Sequence, residues 1–482
     1  MVEIDMQDTR TEVETGKPFA QAQALLNAAQ PQRRWEVTWA ATMVIYNALL
    51  DSPLSALVGA VARGLGEILT TGAMCFALLI VASSRVHRMR YIGLIWPLVV
   101  FSAYVVIQSV VLRVHPFVAL YGLRAIVRLP LVILFVALAT NTDRDRRWLL
   151  QVVLCVGLVE SAVLIAQYLA PDLSLWDRLH PTEEFDSAIG RLSFTEAPYP
   201  SGTFPRFNFA AEFLVSVALM AIGGMTVVGK RTTGVVSNCI VVVVGVFVTL
   251  SRTAQLILFL GGAFMFARRK LFIPLAVVLG ALLSLAVVYG RGVDYGATAS
   301  GDSTNIAERF LSLFSESYWE VQTGDEELQR WPAAIDGTQN TLAKYPLLGT
   351  GIGTIGSGFT DSGIDKNDGA PYPTYNRLPW LENKISLRAM SDVGWVCLLA
   401  QLGIVGLAVL GWVYWSFFRA TRFPRSASSY LERVATAICV AFVVFNSTIS
   451  AFLSRSFLSS AAVIIGVIIS ASRSRHEQYP SE

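Results

Sequence analysis

Long apolar runs decide what this chain can fold into. Stretches of about 17 to 25 residues with almost no charge recur along it, and a helix of that length crosses the hydrocarbon core of a bilayer. Composition agrees. Of 482 residues, 54% are hydrophobic and 15% charged, with mean hydropathy +0.52, where a soluble protein carries roughly a quarter charged residues. The expected fold class is therefore all-α: a polytopic membrane protein of about twelve transmembrane helices. The expected spans are 35–50, 54–82, 92–112, 118–139, 148–169, 208–228, 234–250, 253–267, 271–289, 393–416, 432–453 and 457–472.

Basic residues orient these spans. Loops on one side carry Arg33 and Arg34; Arg85, Arg88 and Arg90; Arg144, Arg146 and Arg147; and Lys230 and Arg231. The same side continues with Arg268, Arg269 and Lys270; Arg419, Arg422, Arg425 and Arg433; and Arg473 and Arg475. The opposite loops lack such clusters, so the positive-inside rule places both termini in the cytoplasm. The implied organisation is a cytoplasmic, disordered tail at 1–34, spans one to nine in 35–289 with an outer loop at 170–207, and a large periplasmic loop at 290–391 between spans nine and ten. Spans ten to twelve follow in 392–472, and a short cytoplasmic tail closes the chain at 473–482. The expected location is a bacterial inner membrane. Residues 1–34 are polar and acidic and show no cleavable signal peptide.

The large loop holds eight Lys or Arg against thirteen Asp or Glu and is net acidic. Helical patterns lie near 304–320 and 325–345, followed by a glycine-rich turn from Pro346 to Gly358 and a Pro/Asn/Asp-rich stretch. The five cysteines (Cys75, Cys155, Cys239, Cys397 and Cys439) all fall in apolar runs, so no disulfide framework staples the loop. Neither CxxC nor HExxH spacing occurs. No metal, cofactor or nucleic-acid partner is expected.

Charged residues in apolar runs mark where chemistry can sit, because an unpaired charge in hydrocarbon is costly. Arg63 and Glu67 stand four apart and can pair on one helix face. Arg124 and Arg128 have the same spacing and like charge, tolerable if they share an anion or face water. Glu160 and Glu212 also lie within spans. The polar break Thr249–Ser251–Arg252–Thr253 reads either as an ordinary turn or as a phosphate clamp, since guanidinium offers a planar fork matching phosphate oxygens. GTGIGTIGSG lacks the GK[ST] ending of a nucleotide loop. Its amides suit either an anion or close packing on a helix.

Four segments, in order, resemble the O-antigen ligase and polymerase family. They are SGTFPRFNFAAEF, TLSRTAQL, the run from Trp331 through YPLLGTGIGTIGSGF, and MSDVGWVCLLAQLGIVGL. The resemblance covers roughly residues 90–470 and places the chain in the C-type membrane glycosyltransferase superfamily. It departs from the ligases at two points. Counting back from Gly403 and Gly406, Asp392 stands where ligases keep a His, and none of the four histidines lies in the large loop. Tyr199 stands where an Arg usually precedes GTF, with Arg191 and Arg206 nearby.

The resemblance implies a polymerase that joins undecaprenyl-diphosphate-linked repeat units into O-antigen or exopolysaccharide. The alternative is a ligase that passes the glycan to lipid A-core. Donor, acceptor and membrane lipids are the implied partners, with a chain-length regulator and a flippase. Arg252, with Arg206 or Arg191, would clamp the diphosphate, and Arg124 and Arg128 are further diphosphate candidates. Asp392 reads either as the candidate base or as an N-cap of the apolar helix that starts at Val393, and Glu382 is a second base candidate; Arg330, Trp331, Glu382 and Arg388 are the acceptor-side candidates in the loop. A twelve-span transporter is the rival class. Major-facilitator carriers place their long loop between spans six and seven in the cytoplasm, and no two-half repeat is visible here.

Orientation is directly testable. Reporter fusions at residues 145, 231 and 425 are expected to report cytoplasm, and a fusion near residue 365 periplasm; a cytoplasmic signal at 365 overturns the topology.

Overall fold

The computed structural model describes residues 34–58, 60–170, 200–204, 207–225, 233–266, 330–354, 394–423, 430–448 and 455–478. The amino-terminal tail, the outer loop up to residue 199, the span expected at 271–289, the helical pattern at 304–320 and the irregular part of the large loop lie outside the described residues.

Those residues form helices and turns, with no strand among them. α1 (Arg34–Ile45) runs through a π-helical turn (Tyr46–Leu50) into α2 (Asp51–Val58). α3 (Ala60–Ser83), α4 (Arg85–Arg90), α5 (Ile92–Val111), α6 (Pro116–Ala139) and α7 (Asp143–Leu169) follow. Then come α8 (Phe207–Met225), α9 (Thr233–Val248), α10 (Arg252–Phe266), α11 (Arg330–Lys344), α12 (Gly394–Ala420) and α13 (Tyr430–Thr448). α14 (Arg455–Phe457) passes through a second π-helical segment (Leu458–Ala462) into α15 (Val463–Gln478). Among the described residues, five helices are long and apolar enough to span a membrane: Gly64–Ser83, Ile92–Val111, Pro116–Ala139, Asp143–Leu169 and Gly394–Ala420. Shorter apolar helices cover Asn208–Gly224, Gly234–Val248, Arg252–Met265 and Leu458–Ser474. The protein is a multi-pass membrane protein.

α6 is the buried centre, with every residue from Ile126 to Ala139 inside the bundle. Small residues let neighbours approach closely, as membrane helices require. A methyl group on Gly466 of α15 would meet the Val136 side chain and the Ile133 carbonyl of α6. Gly157 of α7 lies against Val217 of α8, and Gly261 of α10 against Leu219 of α8.

Basic residues collect at one end of the bundle and hold its helix termini. Arg88 donates to the carbonyls of Val81 (3.3 Å) and Ala82 (2.6 Å) at the end of α3. Arg146 joins the start of α7 to the end of α15 through Ser474 (2.6 Å), and Arg433 donates to the Met265 carbonyl at the end of α10 (3.0 Å). Cations at carboxyl ends of helices complement the dipole. The sequence places Arg144, Arg146 and Arg147 in a loop, but they sit in the first turns of α7. Thr142 caps that helix in a reciprocal box with Asp145, which extends the helix five residues beyond the expected start at 148.

The opposite end is organised by a break in α12. Gly403 has φ 64° and ψ −175°, so the helix is interrupted inside a run that reads as one continuous span. Instead of bonding along the helix, Ala400 and Gln401 accept from the amides of Thr350 (2.9 Å) and Gly351 (3.0 Å). The amides of Ile404 and Val405 donate to Pro346 (3.1 Å) and Leu347 (3.3 Å). Tyr104 of α5 donates its hydroxyl to the Leu402 carbonyl (2.5 Å), and Gln108 bridges the carbonyls of Leu348 and Gln401. Irregular backbone at membrane depth persists only when its polar groups are re-satisfied this way. Gly403→Ala would place a methyl group against the Leu347 carbonyl at a left-handed φ, an expected loss of about 1–3 kcal/mol. Gln401→Leu removes the acceptor of the Gly353 amide, with a similar expected loss of about 1–3 kcal/mol. Denaturant unfolding of the purified protein in micelles measures both, and unchanged midpoints contradict the docking.

Candidate functional site

Three polar groups gather at the loop end of the bundle. The first joins α3 and α6. Glu67 places one carboxylate oxygen on Arg124 and the other on Arg128, whose Nη1 lies 3.5 Å away. Arg128 is nearly buried, its side chain 7% exposed, while Glu67 is 33% and Arg124 29% exposed. The anion that makes this arginine spacing tolerable is thus supplied by the chain. The expected Arg63–Glu67 pair rests on a side chain outside the described set.

The second group fastens the SGTF turn. Glu160, fully buried in α7, accepts from the Thr203 amide (2.9 Å) and hydroxyl (2.7 Å). The Thr203 hydroxyl also lies 2.5 Å from the Ala48 carbonyl, in the π-helical turn after α1. Gln167 accepts from the amides of Ser201 (3.1 Å) and Gly202 (2.8 Å) and donates to the Gly202 carbonyl (2.9 Å). Gly202 has φ 66°, and a Cβ there would collide with the Glu160 carboxylate, so only glycine fits.

The third group brings α8, α10 and α14 together. Glu212 of α8 is buried and accepts from Ser456 at 3.4 Å. α10 opens directly on Arg252 after a tight turn in which Leu250 is buried at φ 58°. A bulky residue held there stores about 1–3 kcal/mol, a strain that concentrates at functional sites. Thr249 braces the turn, donating to the Val246 carbonyl (2.7 Å) and accepting from the Ser251 amide (3.3 Å). Arg252 therefore adds its charge to the positive end of the α10 dipole, which costs stability alone and favours an anion. Gly261 against Leu219 and Gly223 near Met265 set the parallel register of α8 and α10, placing Arg252 within about one turn of Glu212 along the axes.

Arg330 and Trp331 open α11, the helix that runs into the docked glycine turn. Arg191, Arg206, Glu382, Arg388 and Asp392 lie outside the described residues. The anion reading of the glycine turn does not hold for its docked part. The amides of Gly349, Thr350, Gly351 and Gly353 are taken by Tyr345, Ala400 and Gln401. Close packing prevails: a Cβ on Gly122 of α6 would lie 2.5 Å from the Gly353 nitrogen.

This glycine turn, the break it fills and the Arg252 turn all fall inside a stretch, residues 238–411, that matches the family model described as O-antigen ligase. Over those residues the chain is similar to the O-antigen ligase family. No curated protein matches the chain. The matched stretch holds most of α9, all of α10 and α11, and most of α12. The Glu67 and Glu160 groups precede it in the chain and pack around it.

The buried glutamines Gln108, Gln167 and Gln401 are the residues sequence reasoning passed over. Each stands in an apolar helix and bonds a loop or a break. A glutamine inside an apolar run was the available signal, because a buried amide there must find partners.

Proposed function

We propose that this protein polymerises undecaprenyl-diphosphate-linked oligosaccharide repeat units on the periplasmic face of the inner membrane. One observation carries the reading. Residues 238–411 are similar to the O-antigen ligase family, and Asp392, not a histidine, stands at the exit of the large loop. The same family description favours the second reading, transfer of the glycan to lipid A-core.

In the proposed reaction, the acceptor hydroxyl attacks the anomeric carbon of the donor glycan. A new C–O bond forms, the bond to diphosphate breaks, and the hydroxyl proton passes to a base. Cations must stabilise charge developing on the leaving diphosphate. Arg252 is proposed for that task, aided by Arg206 or Arg191 and by the Arg124–Arg128 pair. Asp392 is the proposed base, since a carboxylate is ionised at neutral pH and accepts a proton without tuning; Glu382 is the reserve. Arg330, Trp331 and Arg388 would face the acceptor. A flippase would deliver the donor, and a chain-length regulator would set product size.

Cells lacking the native protein and carrying single variants test this. Arg252→Lys is expected to lower polymer about ten- to a hundredfold, because a point charge lacks the bidentate fork and a charge-assisted contact contributes about 1.5–3 kcal/mol. Asp392→Asn is expected to abolish polymer with protein still accumulating in the membrane, while Asp392→Ser separates helix capping from proton transfer. Normal polymer from Arg252→Ala returns that residue to an ordinary turn. Normal polymer from both Asp392 variants moves the base elsewhere.

A further inference from the structure

We infer that Glu67 is a displaceable counter-ion: it holds Arg124 and Arg128 ready for a diphosphate and gives them up when one arrives. The inference rests on the reading of these arginines as diphosphate ligands.

The geometry carries it. Glu67 divides its two oxygens between two guanidiniums on a different helix, one each. A diphosphate carries two phosphoryl groups and can engage the same two guanidiniums, each through its fork. The arginines stand on α6, whose neighbouring segment is the buried centre of the bundle, and Arg128 is nearly enclosed. Glu67 is more exposed than either arginine.

Glu67 follows Gly64 and Gly66, two glycines in one turn of α3. Glycine in a helix interior costs about 1 kcal/mol relative to alanine. No described atom lies within 4 Å of where a Cβ on Gly64 would stand, so the turn is not clamped on that side. A shift of this turn withdraws the carboxylate without moving the arginines. Meanwhile the carboxylate prevents mutual repulsion of two like charges at i,i+4.

The experiment is diphosphate binding by the full-length protein in nanodiscs. Two probes are used: inorganic diphosphate in solution and undecaprenyl diphosphate in the bilayer. Glu67→Gln keeps the side-chain shape and removes the competing charge. It is expected to tighten binding about tenfold, with the gain lost in the Glu67→Gln/Arg128→Gln double variant. A gain with both probes marks a site open to solution; a gain with the lipid alone marks one reached through the bilayer, and either supports the counter-ion role. Unchanged affinity in Glu67→Gln, with binding still measurable, overturns that role and leaves the glycosyltransferase reading intact. Wild-type affinity in Arg128→Gln overturns the inference by removing the arginines from the diphosphate site. Absence of diphosphate binding in every protein defeats the inference and the functional reading together. If Glu67→Gln does not accumulate, Glu67→Asp, too short to reach both guanidiniums, must tighten binding, and unchanged affinity there overturns the role.

Discussion

A hydrocarbon interior tolerates no unsatisfied backbone polar group, and the break in α12 at Gly403 is where this chain meets that constraint most sharply. Interrupting a membrane helix exposes carbonyls on one side and amides on the other. Pro346 through Gly351 supply partners for both sets, while Tyr104 and Gln108 complete them from α5. The consequence is positional. The end of α11 and the glycine turn are seated against α5, α6 and α12 instead of hanging from the membrane surface. Whatever the large loop presents is thereby referenced to the same rigid frame as α6, which carries Arg124 and Arg128.

The same logic recurs in smaller form at the SGTF turn. There a buried glutamate and a buried glutamine hold an irregular segment in place between α7 and the π-helical turn after α1. Arg252 follows a strained Leu250 in a third irregular segment. Each of the three sits next to charged or amide side chains within an apolar bundle, and each coincides with a segment of family resemblance. The motifs therefore read first as docking devices. Their chemistry would follow from which charges the docking brings close.

Much of this was legible because hydrophobic length is a strong signal. The runs expected at 92–112 and 118–139 match Ile92–Val111 and Pro116–Ala139 within two residues. α7 was misjudged at its start because its first turns are charged, and hydropathy cannot see that a Thr142–Asp145 box prolongs the helix. The break at Gly403 was hidden because glycine is common in apolar helices and only tertiary partners distinguish a break from a continuous turn. Arg124 and Arg128 were readable as sharing an anion or facing water, but not as bonded to Glu67. The bonds from Glu67 across to α6 could not be read from spacing. Periodicity describes neighbours within an element, and the site is made between elements.

The most direct test of the account is reconstitution of the purified protein in liposomes with an undecaprenyl-diphosphate-linked repeat unit and no membrane potential, with products resolved by size. The account predicts a ladder of longer glycans still attached to undecaprenyl diphosphate, formed without lipid A-core. A substrate that stays one repeat long, with extension appearing only as glycan joined to added lipid A-core, would contradict it.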